Sequence, residues 1–570
     1  MSDALEQASL IMVPSGYENG TLGSLKPLDG SGDFTFSRGS DISATRVNED
    51  GYIEKGYENL LTYSNDFSNA AWSGLSKTSG ILGYDGTNNA WEITKPAQPY
   101  TPISQSVSAT GVWTFSLYAK ANTLDKISIR NQTDGTRCDF DLLNGVAEFS
   151  GSNVISKNIS NIGSGWYRCQ VTFTGSTSQI AIYVAWNNST AGSVYIQDAM
   201  INQGMVSYPY VETTTAPVAG GILEDMPRLD YSGSCPALLL EPQRTNLVEH
   251  SEYFLGAGYN LSSVDIIQSN FTTSAEGYKN ASKLTTNQSG SGSNKIENTR
   301  SGRTLSIFAK AGEESEFLFF GPTAGQGVFF NLNDGSITGY YQGNSSNIDD
   351  AYSTPYNDDW YRFVVVFSLN TYSRIFVSQN QQITFNRTAG NGIYLYGLQA
   401  DQDATYPTSY IPTYGTSQTR LVEKLADGID IGSFTSNYNT LFFDWGDMED
   451  KSTFNKEIVR GWSSTDNTTN SFRIVSLTDG RSRYQVYTSA GNSVLYDYTH
   501  TTRDKIALVL NGLNSKLFVN GSLVNTYGID VSQGLRQFNY NGFSRNVTNQ
   551  FTIFPTALSD DECIALTTIS

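Results

Sequence analysis

One phrase in this chain occurs twice. GYENLLTYSNDFSNAAW begins at Gly56, and QRTNLVEHSEYFLGAGY begins at Gln243. Both carry Asn-Leu, then a serine, then a phenylalanine three residues further on. Five more echoes follow in the same order. DGTNNAWEIT at Asp85 is answered by EGYKNASKLT at Glu276, and TFSLYAK at Thr114 by TLSIFAK at Thr304. GWYRCQVTF at Gly165 pairs with DWYRFVVVF at Asp359, and GSVYIQDAMI at Gly192 with NGIYLYGLQA at Asn391. SYPYV at Ser207 is matched to SYIPT at Ser409. The offset between copies drifts only from 187 to 202, as expected if insertions fall in loops between matched elements. A chain with this pattern holds two homologous modules, over about 59–212 and 246–420.

The echoed segments alternate in polarity. In TFSLYAK, Phe115 and Leu117 share one parity while Thr114, Ser116 and Tyr118 take the other. YRCQVTF and YRFVVVF are rich in β-branched and aromatic residues. Clusters such as GSTSQ and GSGSN separate these short runs, and a helical period is sustained only near the two ends. The fold class is therefore all-β, with tandem β-sandwich (jelly-roll) domains. A third block does not repeat the module. Its KLFVNGSLVNTY reads as a hairpin turning at Asn520-Gly521. Its closing FPTALSDDECIAL reads as a short helix capped by Ser559. The expected division is an N-terminal segment 1–58, module 1 over 59–215, a connecting segment 216–245, module 2 over 246–420 and a third sandwich over 421–570.

Composition narrows the functions. Charged residues are 16% of the 570, against about a quarter in an average chain, so Asn, Ser, Thr, Gly and Tyr must cover the surface. Thirty-six basic and 55 acidic residues leave a net charge of −19, which repels phosphate backbones and argues against nucleic acid as a partner. No apolar run approaches a membrane span. Cys138, Cys169, Cys235 and Cys563 lie too far apart for a zinc pair. Cys138 and Cys169 share a module, and the reading favours buried free thiols over a disulfide between them.

Catalytic signals are sparse. With two histidines, His250 and His500, no multi-histidine metal site or ordinary triad is expected. His500 reads as an exposed turn residue and His250 as packing or surface. Fifty-five acids leave a carboxylate pair for glycoside hydrolysis open without pointing to one. No cofactor is expected. A structural calcium ion at DGTNN (Asp85) or NEDG (Asn48) is weighed against plain solvated turns, which the reading prefers.

The duplication also sorts the aromatics. Trp166 matches Trp360, Tyr118 matches Phe308, and Tyr195 matches Tyr394, so these belong to the shared frame. Trp91 meets Ser282 in the other copy and Trp186 meets Gln379, so the common fold does not need them. Trp186 leads into the polar loop NNST. Trp186, Asn187 and Asn188, with Trp91, are the candidate glycan contacts, an aromatic face meeting sugar C–H and amides meeting hydroxyls. A local packing difference is the competing reading.

FTFSRGSDISATRVNEDGYIE, followed by PRLDYSGSCPALLLEPQRTNLVEHSEYF, resembles a signature of structural proteins of tailed bacteriophages, including crAss-like phages and phages of Bacteroidetes. Modules ending in SYIPTYGTSQTR resemble the carbohydrate-binding-type sandwiches of phage fibres and appendages. The last block, with DKIALVLNGLNSKLFVNGSLV and ALSDDEC, resembles a concanavalin A-like or laminin-G-like sandwich. The resemblance implies a non-enzymatic head or tail fibre or appendage on the virion surface. It also implies homotrimers, other capsid or tail proteins as partners, and host-surface polysaccharide as a ligand. Residues 1–58 would attach the chain to the particle. The opening MSDALEQASLIMVPSG shows no basic n-region, so no secretion signal is expected, and release by lysis within a particle would place such a chain outside the cell. A polysaccharide-degrading depolymerase is the alternative.

Overall fold

The computed structural model describes residues 5–14, 16–18, 20–39, 43–231, 236–287, 294–449, 456–462, 471–477, 479, 481–488, 491–501, 503–527, 535–541 and 545–569. Cys235 lies outside them. Among the described residues the chain is strands throughout, apart from short helical turns and the helix Asp560–Thr567. Ser559 caps that helix through a reciprocal capping box with Glu562.

Module 1 is a sandwich of two six-stranded antiparallel sheets. One contains Lys126–Asn131, Arg137–Asp141 and Thr177–Val184; the other contains Val112–Ala121, Trp166–Thr174 and Gly192–Gln203. Alternate residues enter the space between them, including Trp113, Phe115 and Leu117 from one layer and Ile127, Ile129 and Phe140 from the other. Cys138 and Cys169 lie in this core as free thiols, and burial pushes the Cys138 thiol up to about 12. In module 2 the same plan becomes one continuous sheet, because Lys295–Lys310 and Tyr361–Ser378 bend through bulges from one layer into the other. Module 1 breaks the corresponding strands at Gly111 and Gly175. Gly111 is fixed there by contact: its φ is +78°, and a Cβ would sit 1.6 Å from the Tyr414 carbonyl oxygen of module 2.

The repeated phrase is a clamp. Asn59 donates to the carbonyls of Ala199 and Val211 and accepts from the N–H groups of Leu61 and Ile201. Asn246 repeats the pattern with Leu398, Ile411, Val248 and Ala400. Ser64 meets the Tyr210 hydroxyl at 2.7 Å, and Ser251 meets that of Tyr410 at 2.6 Å. Tyr210 and Val211 therefore correspond to Tyr410 and Ile411, an offset of 200, which corrects the 202 of the sixth landmark. Arg168 lies 5.5 Å over Tyr118, and Arg362 lies 5.5 Å over Phe308. Trp166 and Trp360 are both buried beside these rings.

The third sandwich uses both ends of the chain. Leu10–Met12 pairs with Arg545–Phe554, and Phe34–Ser37 pairs with Lys424–Asp430. Ala237–Leu240 extends the first of these sheets. Leu10, Met12, Phe34 and Phe36 are buried in one core with Trp445, Phe538 and Phe551. Residues 1–58, set apart in the sequence reading, thus supply strands to the last domain, because their alternating apolar residues find a core there. The Asn520-Gly521 turn has φ of +49° and +79° and joins Ser515–Val519 to Ser522–Tyr527, as the hairpin pattern requires.

Two buried polar clusters join the three bodies. In the first, Lys55 is fully buried with its Nζ 2.6 Å from Glu252 and 2.7 Å from Glu276. The hydroxyls of Tyr208 and Tyr396 donate to Glu276, and that of Tyr410 donates to Glu252. Burial opposes the Lys55 charge, and the two carboxylates override it and raise its pKa. In the second cluster, Glu423 takes Arg38 at 3.1 Å and Arg228 Nε at 2.7 Å, while Glu241 takes Arg228 at 2.8 Å and Arg420 at 2.9 Å. All these side chains are sealed from solvent. Burial pushes both carboxyls up, and the surrounding guanidinium groups hold them below the usual range. Arg38, Arg228, Glu241 and Arg420 come from the segments FTFSR, PRLD, LLLEP and SQTR. These four segments therefore form the joint between module 2 and the third sandwich.

Candidate functional site

The outer face of module 1 gathers the exposed aromatics. Ile127, Ile129, Cys138 and Phe140 point into the core, so strand alternation turns Arg130 and Arg137 outward. Antiparallel register sets these two arginines directly opposite one another. Trp186 follows Thr177–Val184, where Ala185 adopts φ +47° and the Asn188 N–H closes a turn on the Ala185 carbonyl. The indole lies edge-to-face with Tyr183 at 4.5 Å and with Tyr100 at 5.0 Å. The Arg137 guanidinium stands 4.7 Å from its centroid and that of Arg130 stands 5.5 Å away. Arg137 also lies 4.5 Å over Phe149. Tyr100 is 50% exposed and Phe149 47%, so two apolar rings flank the cationic pair.

Backbone and side chains fix both arginines. Arg137 Nε donates to Asp139 at 2.9 Å. Arg130 Nε donates to the Gly135 carbonyl at 3.2 Å, and its Nη1 donates to Gln132. Gly135 has φ +79°, and a Cβ there would sit 2.8 Å from Arg130 Nη2. Gln132 in turn donates to the Tyr183 hydroxyl at 2.9 Å, which ties the arginine to the aromatic row.

Of the predicted contacts, Trp186 and Asn187 lie together, since the Tyr100 hydroxyl donates to Asn187 Oδ1 at 2.6 Å. Asn188 is turned into its own loop: its carbonyl takes Lys95 Nζ and its Oδ1 takes the Thr190 N–H. Trp91 is elsewhere. It sits in the opposite sheet, half-buried against Phe67 at 6.2 Å. Tyr100, Arg130, Arg137 and Phe149 were not foreseen. The signal was present in ISIRNQTDGTRCDF, where a hairpin centred on Asp134-Gly135 pairs the two arginines on the parity opposite the core residues.

At the calcium candidate, Asp85 Oδ1 accepts from the Thr87 N–H and hydroxyl, and Oδ2 accepts from Gln197. Asn48 Oδ1 accepts from the N–H groups of Asp50 and Tyr52. Both are side-chain-closed turns. Between module 2 and the third sandwich lies a cleft of 730 Å³ lined by Tyr352, Tyr356, Arg362, Arg503, Arg545 and Asn549, among others.

Known proteins were compared against this geometry. No protein-family model matches the chain, and no curated protein matches it. Among solved structures it is similar to the CBM40 domain of the Ruminococcus gnavus IT-sialidase bound to alpha2,3-sialyllactose. That match has 16% identity and a TM-score of 0.21, covering 25% of this chain and 93% of that one. It is similar to the leech intramolecular trans-sialidase at 16% identity and a TM-score of 0.21, covering 25% of this chain and 26% of that one. The N-terminal CBM22 tandem domain of Paenibacillus barcinonensis Xyn10C matches at 12% identity and a TM-score of 0.21, covering 64% of this chain and all of that one.

The third sandwich holds one arrangement with the outline of a catalytic triad. His500 Nε2 meets Ser482 Oγ, and His500 Nδ1 meets Asp504 at 2.8 Å. Asp504 also accepts from Tyr498, Asn520 and the Thr501 N–H. Burial pushes its carboxyl up, and these donors hold it down at about 2. Ser482 points into the sandwich beside Tyr484 and is 0% exposed, so its hydroxyl reaches no substrate. His500 is correspondingly not an exposed turn residue. It closes one end of the core, with Trp445 and Tyr498 edge-on to its ring.

Proposed function

We propose that this chain is a non-enzymatic structural component of a phage particle, a head or tail fibre or appendage, and that its first β-sandwich binds host-surface glycans. The observation that carries the glycan reading is the row Phe149–Arg137–Trp186–Tyr100 on the solvent side of one sheet. Its exposed rings suit sugar C–H faces, and its amide and guanidinium groups suit hydroxyls. Neighbouring strands stand about 4.8 Å apart, so a row crossing several of them is long enough to follow an extended saccharide. The virion reading is supported by the phrases that resemble phage structural proteins. In this chain they supply the buried ion-pair cluster between module 2 and the third sandwich, a use that suits a projecting appendage. Assembly as a homotrimer would present three copies of the face and strengthen weak single contacts by multivalency.

The test has two arms. Antibody labelling of intact particles should place the chain on their surface; label confined to lysate would overturn the virion reading. Purified chain should bind host capsular polysaccharide, and Tyr100→Ala with Phe149→Ala should weaken that binding at least tenfold while leaving the thermal transition in place. Undiminished binding in the double variant would remove the site.

A further inference from the structure

The indole at the centre of this face is not an open platform. Two guanidinium groups already stand over it, and Tyr183 and Tyr100 close its edges. Trp186 thus works as a seat for the arginines. We propose that the face selects acidic saccharides, with the carboxylate of a uronate-type sugar gripped between Arg130 and Arg137 while neighbouring rings lie on Tyr100 and Phe149. This inference rests on the glycan-binding reading.

The orientation of the donors supports it. Among the described residues Arg137 is hydrogen-bonded only through its Nε, to Asp139, and its side chain is 25% exposed. Arg130 has Nε and Nη1 engaged, and its Nη2 has no protein partner among the described residues. Both Nη groups of Arg137 and the Nη2 of Arg130 are thus left without a protein acceptor among the described residues, on two side chains set directly opposite one another. A guanidinium fork matches the planar, two-oxygen edge of a carboxylate, and pre-set arginines lose little freedom on binding. Asp139 offsets one of the two charges, so the pair remains net cationic. The chain's overall charge of −19 does not cancel this locally, because physiological salt screens distant charges beyond about 8 Å. A neutral sugar would leave the arginine donors to water and would gain nothing from their placement.

The experiment is an array of oligosaccharides in neutral, uronate-bearing and sulfated classes, each uronate printed beside its carboxyl-reduced form and probed with the full chain. Binding is expected on uronate members and lost on carboxyl reduction. Arg137→Gln should weaken it about ten- to a hundredfold, the usual worth of a charge-assisted hydrogen bond. Arg137→Lys, which keeps the charge without the fork, should fall between. Unchanged thermal transitions of the variants would exclude misfolding as the cause. Binding indifferent to carboxyl reduction, or confined to neutral or sulfated members, would overturn the acidic-sugar inference and leave glycan binding standing. Absence of binding to every class would overturn both.

Discussion

Replacing Glu423 by glutamine is the sharpest test of how the three sandwiches hold together. Glu423 is fully buried and takes charge-assisted bonds from Arg38 and Arg228 as well as the Glu241 N–H at 2.9 Å. Three fully buried arginines, Arg38, Arg228 and Arg420, face two glutamates, and the partly exposed Arg545 reaches Glu241 at 3.6 Å. Neutralising Glu423 leaves three buried cations facing Glu241 alone, and a glutamine amide would point its own N–H groups at guanidinium donors. Breaking one partner of a buried pair costs roughly 3–5 kcal/mol. The loss should be local, since Arg38 follows Phe34–Ser37, which pairs with Lys424–Asp430. A chain of several domains does not unfold in two states, so the readout is native-state hydrogen exchange across those two strands. Their protection should drop by the stated amount while the core of module 1 is unaffected. Glu423 has a depressed pKa, so its contribution is present above the ordinary carboxyl range near pH 4.5 and fades as pH falls below it. Wild type and variant should therefore converge in acid. A change under about 1 kcal/mol, or a gap that widens in acid, would refute the idea that this network carries the joint.

Asp198 is 7% exposed and burial pushes its carboxyl up to about 6, so the wild type should lose stability as pH rises from about 4 to 6. Asp198→Asn, which keeps an acceptor for Tyr84 and tolerates the φ of +54°, should remove that slope and stabilise by up to about 3 kcal/mol at pH 7, read from native-state hydrogen exchange in Gly192–Gln203. Lys55→Met strands Glu252 and Glu276 together; it should cost roughly 3–5 kcal/mol at pH 7, with part recovered at pH 5 as one carboxyl takes a proton, measured by native-state hydrogen exchange in Ile53–Asn59. Deleting residues 1–39 exposes the core that Leu10, Met12, Phe34 and Phe36 fill, so the third sandwich should lose its cooperative transition while module 1 keeps its own in calorimetry. Incubation with host capsule should yield no new reducing ends, and their appearance would establish the depolymerase alternative.

The repeats were legible because duplication supplies an internal control: a position filled alike in both copies marks the frame. Asn59 and Asn246 show this at atomic detail. What escaped was everything set by distant pairing. Nothing near Leu10 or Phe36 announces that they have partners more than 380 residues away, because a strand's alternation names its buried face and not its neighbour. The same limit explains the site. Trp186 stood out as an aromatic the other module lacks, but Arg137 and Phe149 reach it only through sheet register. Trp91 stood out on the same ground but lies in the opposite sheet, partly buried against Phe67, since comparison between copies detects difference without its cause. His500 was misjudged because Ser482 and Asp504, which enclose it, gave no sign of facing the same interior.

The union of the first strands with the last has a bearing on how the protein is made. Leu10 meets Ile553, so the strand Leu10–Met12 waits for its sheet partner until Arg545–Phe554 has been made. Modules 1 and 2, each drawn from a continuous stretch, are free to form in the meantime. A product cut short before Gln537 leaves Phe34 and Phe36 without Phe538 and Phe551, the side chains that close their core.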